Sequence, residues 1–151
     1  MLELAIAADR QAVNEIALQC HTSHVHWRPD IYCMVDEYFT EKDFLQLIRD
    51  RKLYVAKLED AVVGFTQLSQ HYFEGSGIVS RKVMSVDEFV IHETCQGHGI
   101  GKAMMEDIHA LARAFRCSDL QLKVYPQNDD AVGFYQKCGF QIQNIGMQKK
   151  V

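Results

Sequence analysis

Leu2, Leu4 and Ile6 alternate with Glu3 and Ala5, a period of two that predicts a strand, and Asp9 follows where a helix N-cap belongs. Val13, Ile16, Ala17 and Cys20 then recur at helical spacing and predict a first helix. His21 to Asp36 keeps neither period and contains the turn-like Arg28-Pro29-Asp30, so a loop with room for a short helix is expected. Thr40 with Asp43 three residues on resembles a capping box, and Phe44, Leu47 and Ile48 supply the apolar stripe of a second helix.

Two strands are predicted next, Leu53 to Leu58 and Ala61 to Ser69, and the short Glu59-Asp60 link makes them an antiparallel hairpin. Gly75-Ser76-Gly77 reads as a flexible tip before a third strand-like run, Lys82 to Ile91. After a polar, glycine-rich segment, Ile100, Met104, Ile108, Leu111 and Phe115 recur at helical spacing and mark the longest helix. Leu120, Leu122 and Val124 alternate as another strand that Pro126 stops, and Asn128 opens a short helix ending at Cys138-Gly139. Phe140 to Gln143 and Ile145 to Lys150 are expected to close the chain as two short strands.

Antiparallel hairpins early and a strand, helix, strand crossover late predict a mixed α/β fold around one sheet. With 151 residues and no linker-like stretch, the chain reads as a single domain over residues 1–151. The formal net charge of −4 argues against the basic face that nucleic acid requires, so no nucleic-acid partner is expected. Met1 to Ala8 carries Glu3 and lacks a basic region, so neither a signal peptide nor a membrane anchor is expected. Five cysteines without a paired spacing suggest reduced thiols and a cytoplasmic protein.

The chemistry concentrates in Gln96-Gly97-His98-Gly99-Ile100-Gly101, set between a strand and an amphipathic helix. Alternating glycines let the backbone turn sharply, and the bare N–H groups at the start of a helix form a site for phosphate. A dinucleotide fingerprint needs glycine where Lys102 stands, and a P-loop needs glycine at Gln96 and Ser or Thr at Ala103, so neither reading applies. Downstream, Asn128, Ala131, Phe134, Tyr135, Gly139 and Phe140 follow a strand at short range.

Together with Gln96-x-x-Gly99-x-Gly101, this set resembles the acetyl-CoA-binding core of the GNAT superfamily of N-acetyltransferases. The resemblance implies a central, mostly antiparallel mixed sheet, splayed in the middle and flanked by about four helices. It implies that amides from Gln96 to Lys102, through Gly97, His98, Gly99, Ile100 and Gly101, hold the pyrophosphate of acetyl-CoA. Phe89, Val90 and Ile91 are expected to pair with the pantetheine arm as an added strand would, and Asn128 to contact it. Tyr135 is expected to face the sulfur.

Acyl transfer to an amine requires a deprotonated nucleophile, stabilisation of charge on the thioester oxygen and a proton for the departing thiolate. Asp87 and Glu88 are the candidate bases. Because side chains alternate along a strand, only one of them can face the gap, and Asp87 is taken ahead of Glu88. The Val90 amide is the expected oxyanion donor and Tyr135 the expected acid. The family resemblance also places His24, His26, Trp27, Arg28, Tyr32 and Tyr38 near the acceptor. Cys20, His21, His24 and His26 lack zinc-type spacing, so no metal is expected. The leading reading is transfer from acetyl-CoA to a primary amine of a small molecule. The alternatives are a protein or peptide acceptor, at an N-terminus or a lysine, and a non-catalytic acetyl-CoA-binding module. Many relatives pair through C-terminal strands, which makes a homodimer an expectation.

Overall fold

The computed structural model describes residues 1–151. Five strands lie side by side in chain order: β1 (Leu2–Leu4), β2 (Leu53–Leu58), β3 (Ala61–Gly75), β4 (Ile78–Ile91) and β5 (Asp119–Leu122). The first three neighbouring pairs are antiparallel and β4–β5 is parallel. Helices α1 (Arg10–Trp27) and α2 (Glu41–Arg49) precede β2, while α3 (Ile100–Ala114) joins β4 to β5 and α4 (Asp129–Lys137) follows β5. No helix is long and apolar enough to cross a membrane. This is the mixed α/β sheet that the hydrophobic pattern predicts.

Each face of the sheet has its own core. Val13, Ile16 and Ala17 of α1 and Phe44 of α2 pack on Leu53, Val55, Phe65 and Val90. Met105 and Ile108 of α3 pack on Tyr54, Leu68, Met84 and Val86 across the opposite face. Strand β2 therefore buries both of its faces, whereas the helices keep one polar side. At the β2–β3 turn Glu59 and Asp60 both have positive φ, 47° and 65°, the twist that a two-residue hairpin demands.

Three expectations change. Helix α1 runs to Trp27, through residues expected to be a loop, because His21 is buried beneath the chain that follows and its Nε2 donates to the Cys33 carbonyl at 2.7 Å. The Asp9 carboxylate does not cap α1; it accepts from the Ile6 N–H at 2.9 Å and meets Lys57 Nζ at 3.1 Å. The two strands expected after Gly139 do not form. An alternating pattern becomes a strand only against an edge that satisfies its amides, and within one chain these residues meet none. Ile142, Ile145 and Met147 are 73%, 80% and 95% exposed.

Candidate functional site

The site is made by where β4 and β5 part. Their ladder runs from Val83↔Asp119 to Val86↔Leu122 and ends there, two residues before the predicted end of β5, while β4 continues to Ile91. On β3, Gln67 faces Glu88 and Leu68 faces Val86, so Asp87 is an extra residue without a partner, a β-bulge. The bulge reverses the phase of β4. Before it, Met84 and Val86 face α3; after it, Val90 faces α1.

Backbone polarity follows from the same register. The His92 N–H donates to the Val63 carbonyl at 2.8 Å, which makes 63/92 a hydrogen-bonded pair. Antiparallel pairs alternate, and with Gly64↔Ile91 and Phe65↔Val90 in register, Val90 also turns its N–H and C=O to β3. The amide expected to meet the oxyanion is thus committed to the sheet. Phe89 and Ile91 instead direct their backbone groups toward the side that β5 has left. Accordingly, the Ile91 carbonyl accepts from Gln96 Nε2 at 3.2 Å. The Gln96 side chain thereby fastens the glycine loop to β4.

That loop turns at Gly97 and Gly99, with φ of 78° and 82°, a conformation open to glycine and costly for other residues. Gly99 is the N-cap of α3, and the first intrahelical bond is Ala103 N–H to Gly99 O. The N–H groups of Ile100, Gly101 and Lys102 thus remain at the positive end of the helix dipole. A side chain at Gly101 would stand 2.9 Å from Ile91 Cδ1 and 3.2 Å from Phe134 Cζ, so glycine there lets α3 approach β4 and α4 closely. Ile100 is buried in the core, His98 is exposed, and Lys102 points to Glu106 on the surface at 3.9 Å. Asn128 caps α4 through Oδ1, which accepts from the Ala131 N–H at 3.3 Å.

Two ionisable groups close on the gap from opposite faces. Glu88 is half-buried, and Tyr38 Oη donates to its Oε1 at 2.6 Å. Burial pushes the Glu88 carboxyl above its ordinary value; the Tyr38 hydrogen bond pulls the other way, and the charge of Asp87 adds to the rise. Asp87, taken ahead of it from the sequence, is exposed on the bulge. From the other face Tyr135 of α4 packs its ring 6.1 Å from Phe89, which itself stacks on Phe134 at 5.6 Å. Burial pushes the Tyr135 hydroxyl up to about 12, with the charges of Cys20, Cys138 and Glu88 contributing. Burial, with Glu88 adjacent, also raises the Cys20 thiol to about 11, which keeps it protonated and poorly nucleophilic.

The residues expected near an acceptor divide. Tyr32, Trp27 and Tyr125 gather around His24, with ring centroids 5.7, 5.5 and 5.9 Å away. Arg28 grips Asp30 through Nε at 3.0 Å and Nη2 at 2.8 Å, and its guanidinium lies 5.9 Å from the Tyr125 ring. His26 is exposed and outside this cluster. Cys20 Sγ lies 3.8 Å from His24 Nδ1, but His21 turns to Cys33, so the four Cys and His side chains do not converge. Tyr125 was missed from the sequence, where only its place between a strand and Pro126 marked it. Gln19 was missed as well: its Oε1 accepts from the Glu93 N–H at 3.1 Å, tying α1 to the segment that leads into the glycine loop.

Residues 10–140 match the family described as the Acetyltransferase (GNAT) family. The chain belongs to that family. It is 39% identical over 57 residues to the spermine/spermidine N(1)-acetyltransferase of Bacillus subtilis, 37% of this chain and 38% of that one. It is 34% identical over 109 residues to the peptidyl-lysine N-acetyltransferase YjaB of Escherichia coli, 70% of this chain and 62% of the relative. Both matches span less than two thirds of the relative's length. Among solved structures, a mutant of the BH1408 protein from Bacillus halodurans superposes with a TM-score of 0.95 at 23% identity, covering 100% of this chain and 99% of that one, a likeness of fold. This member of the GNAT family has a splayed sheet, a glycine loop at a helix start, and Glu88 and Tyr135 reaching the gap from opposite faces.

Replacing Tyr38 with Phe removes the hydrogen bond that holds the Glu88 carboxyl down, so its titration moves to higher pH. An NMR titration of the labelled Glu88 carboxyl checks this; an unmoved or lowered midpoint refutes the contact.

Proposed function

We propose that this acetyltransferase moves an acetyl group from acetyl-CoA to a primary amine of a small molecule, by direct attack with both substrates bound. The observation that carries the reading is the open backbone edge of β4 running into a helix N-terminus whose first amides are unpaired. A diphosphate fits amides and the dipole at Gly97 to Lys102, and an amide-bearing arm fits the strand edge at Phe89 and Ile91 as a sixth strand would. Acetyl-CoA supplies the acyl group as an activated thioester.

The residues then divide the proton and charge handling. Glu88, directly or through water, takes the proton from the incoming ammonium, and Tyr38 fixes the carboxylate's position. The Phe89 N–H, pointing into the split, donates to the thioester oxygen as charge gathers there. The Tyr135 hydroxyl, kept protonated by burial, gives its proton to the departing sulfur and is restored by the second proton that the nitrogen sheds as the amide forms. Because Glu88 must be ionised and its carboxyl is shifted up, the rate rises with pH through that shifted value, above the ordinary range for a glutamate.

A peptidyl-lysine acceptor is the second reading, supported by the similarity to YjaB over 70% of this chain. Free cysteines support a cytoplasmic setting. The exposed Ile142, Ile145 and Met147, in a segment that joins no strand, support a homodimer in which this segment pairs with the partner. Light scattering on the intact protein tests that part directly: a dimer mass is expected, and a monomer mass at assay concentrations removes it.

Valine at Gly99 demands a left-handed conformation that costs a β-branched residue roughly 1–2 kcal/mol or more, so affinity for CoA falls at least about tenfold. Calorimetric titration measures it, and undiminished binding counts against the phosphate site. Tyr135→Phe lowers kcat by about 10²-fold while leaving CoA affinity intact. Single-turnover rates at saturating acetyl-CoA decide that case, and an unchanged rate removes the acid role.

A further inference from the structure

The Tyr32 and Tyr125 hydroxyls lie 2.8 Å apart although 93 residues separate them in the chain. Tyr32 belongs to the segment that follows α1, on the Glu88 face of the sheet. Tyr125 stands three residues beyond the last residue of β5, on the other lip of the split. Their rings meet edge to face at 6.2 Å and 87°, and His24 packs against both. Arg28 backs Tyr125, and its Nη2 also donates to Gln148 Oε1 at 2.6 Å, drawing the C-terminal segment to the same place. The Tyr125 hydrogen bond is the main reason that Tyr32 titrates high; burial adds to it, and the charge of Glu88 reaches the same ring. The Tyr32 ring lies 6.0 Å from His21, which lies 5.4 Å from Tyr38, the hydrogen-bond partner of Glu88, so the hydroxyl pair spans the split near the end where Glu88 stands.

We propose that the Tyr32–Tyr125 pair is a bar across the acceptor mouth that sets specificity, admitting an amine at the end of a slender flexible chain and excluding lysine within a polypeptide. This rests on the acetyl-transfer reading above. A linear amine enters end-on beneath the bar, and the surrounding aromatic rings favour its cationic charge. A polypeptide must lay backbone on both sides of its lysine, which requires the two lips to be apart. The bar thus acts by excluding the bulkier acceptor rather than by binding the smaller one.

The test compares kcat/KM for spermidine with that for a heptapeptide bearing one central lysine and blocked ends. The unmodified protein, Tyr125→Phe and Tyr125→Ala are assayed, with CoA affinity measured in each. The unmodified protein is expected to prefer spermidine. Tyr125→Ala raises the peptide-to-spermidine ratio at least about tenfold through a higher value for the peptide, and Tyr125→Phe, which keeps the ring, falls between. A ratio unchanged in both variants, or a peptide preference in the unmodified protein, overturns the bar while leaving acetyl transfer standing. No turnover of any amine by the unmodified protein, despite CoA binding, overturns both.

Discussion

One extra residue in one strand governs the site. Without the bulge at Asp87, β4 would keep its phase past Val86 and would present the Glu88 side chain to α3 rather than to α1. With it, the strand twists at the rung where β5 ends, and Phe89 and Ile91 are left with backbone groups that no strand satisfies. Unpaired amides in a strand are costly when dry and useful when a ligand supplies the missing partner. The bulge thus re-aims the Glu88 carboxylate and sets the hydrogen-bonding edge at Phe89 and Ile91.

The glycine loop extends that logic from a strand edge to a helix end. Gly97 and Gly99 take left-handed conformations, and Gly101 removes the side chain that would hold α3 away from Ile91 and Phe134. None of the three contributes a functional group. What they contribute is backbone brought close and left bare, so the charge presented at this helix start is that of main-chain dipoles, while Lys102 points into solvent beside Glu106. The Gln96 side chain belongs to the same scheme, since its bond to the Ile91 carbonyl keeps the strand edge and the helix start in one fixed relation.

How much of this is legible in the sequence depends on whether a local period carries it. The α3 stripe, the β2–β3 hairpin with its Glu59-Asp60 turn and the Gly97–Gly101 run all write themselves in residues three or fewer positions apart, or in a regular repeat. The bulge does not, because Asp87-Glu88 looks the same in a regular strand as in a bulged one, and strict alternation then misjudges which side chain and which amide turn toward the gap. The last turns of α1 are hidden for a related reason: His21 is polar by composition yet buried by a contact with Cys33 twelve residues later. Tyr125 joins the site through a residue 93 positions away. The C-terminal pattern is strand-like, but a strand is a property of two partners, and the sequence displays one.

Helix α1 links the two halves of the site mechanically. Cys20, His21 and His24 on its C-terminal part border Glu88 and the aromatic cluster, while Gln19, one residue earlier, holds the Glu93 N–H and lies 3.2 Å from His92 Nε2. His92 in turn donates its backbone N–H to Val63 and meets Thr94 through Nδ1 at 2.8 Å. Gln19 therefore connects the helix beside Glu88 to the segment entering the glycine loop without crossing the gap itself. The same helix is pinned to the sheet by Val13, Ile16 and Ala17 in its N-terminal half. The residues beside Glu88 and the segment entering the glycine loop are thus both tied to the C-terminal half of α1.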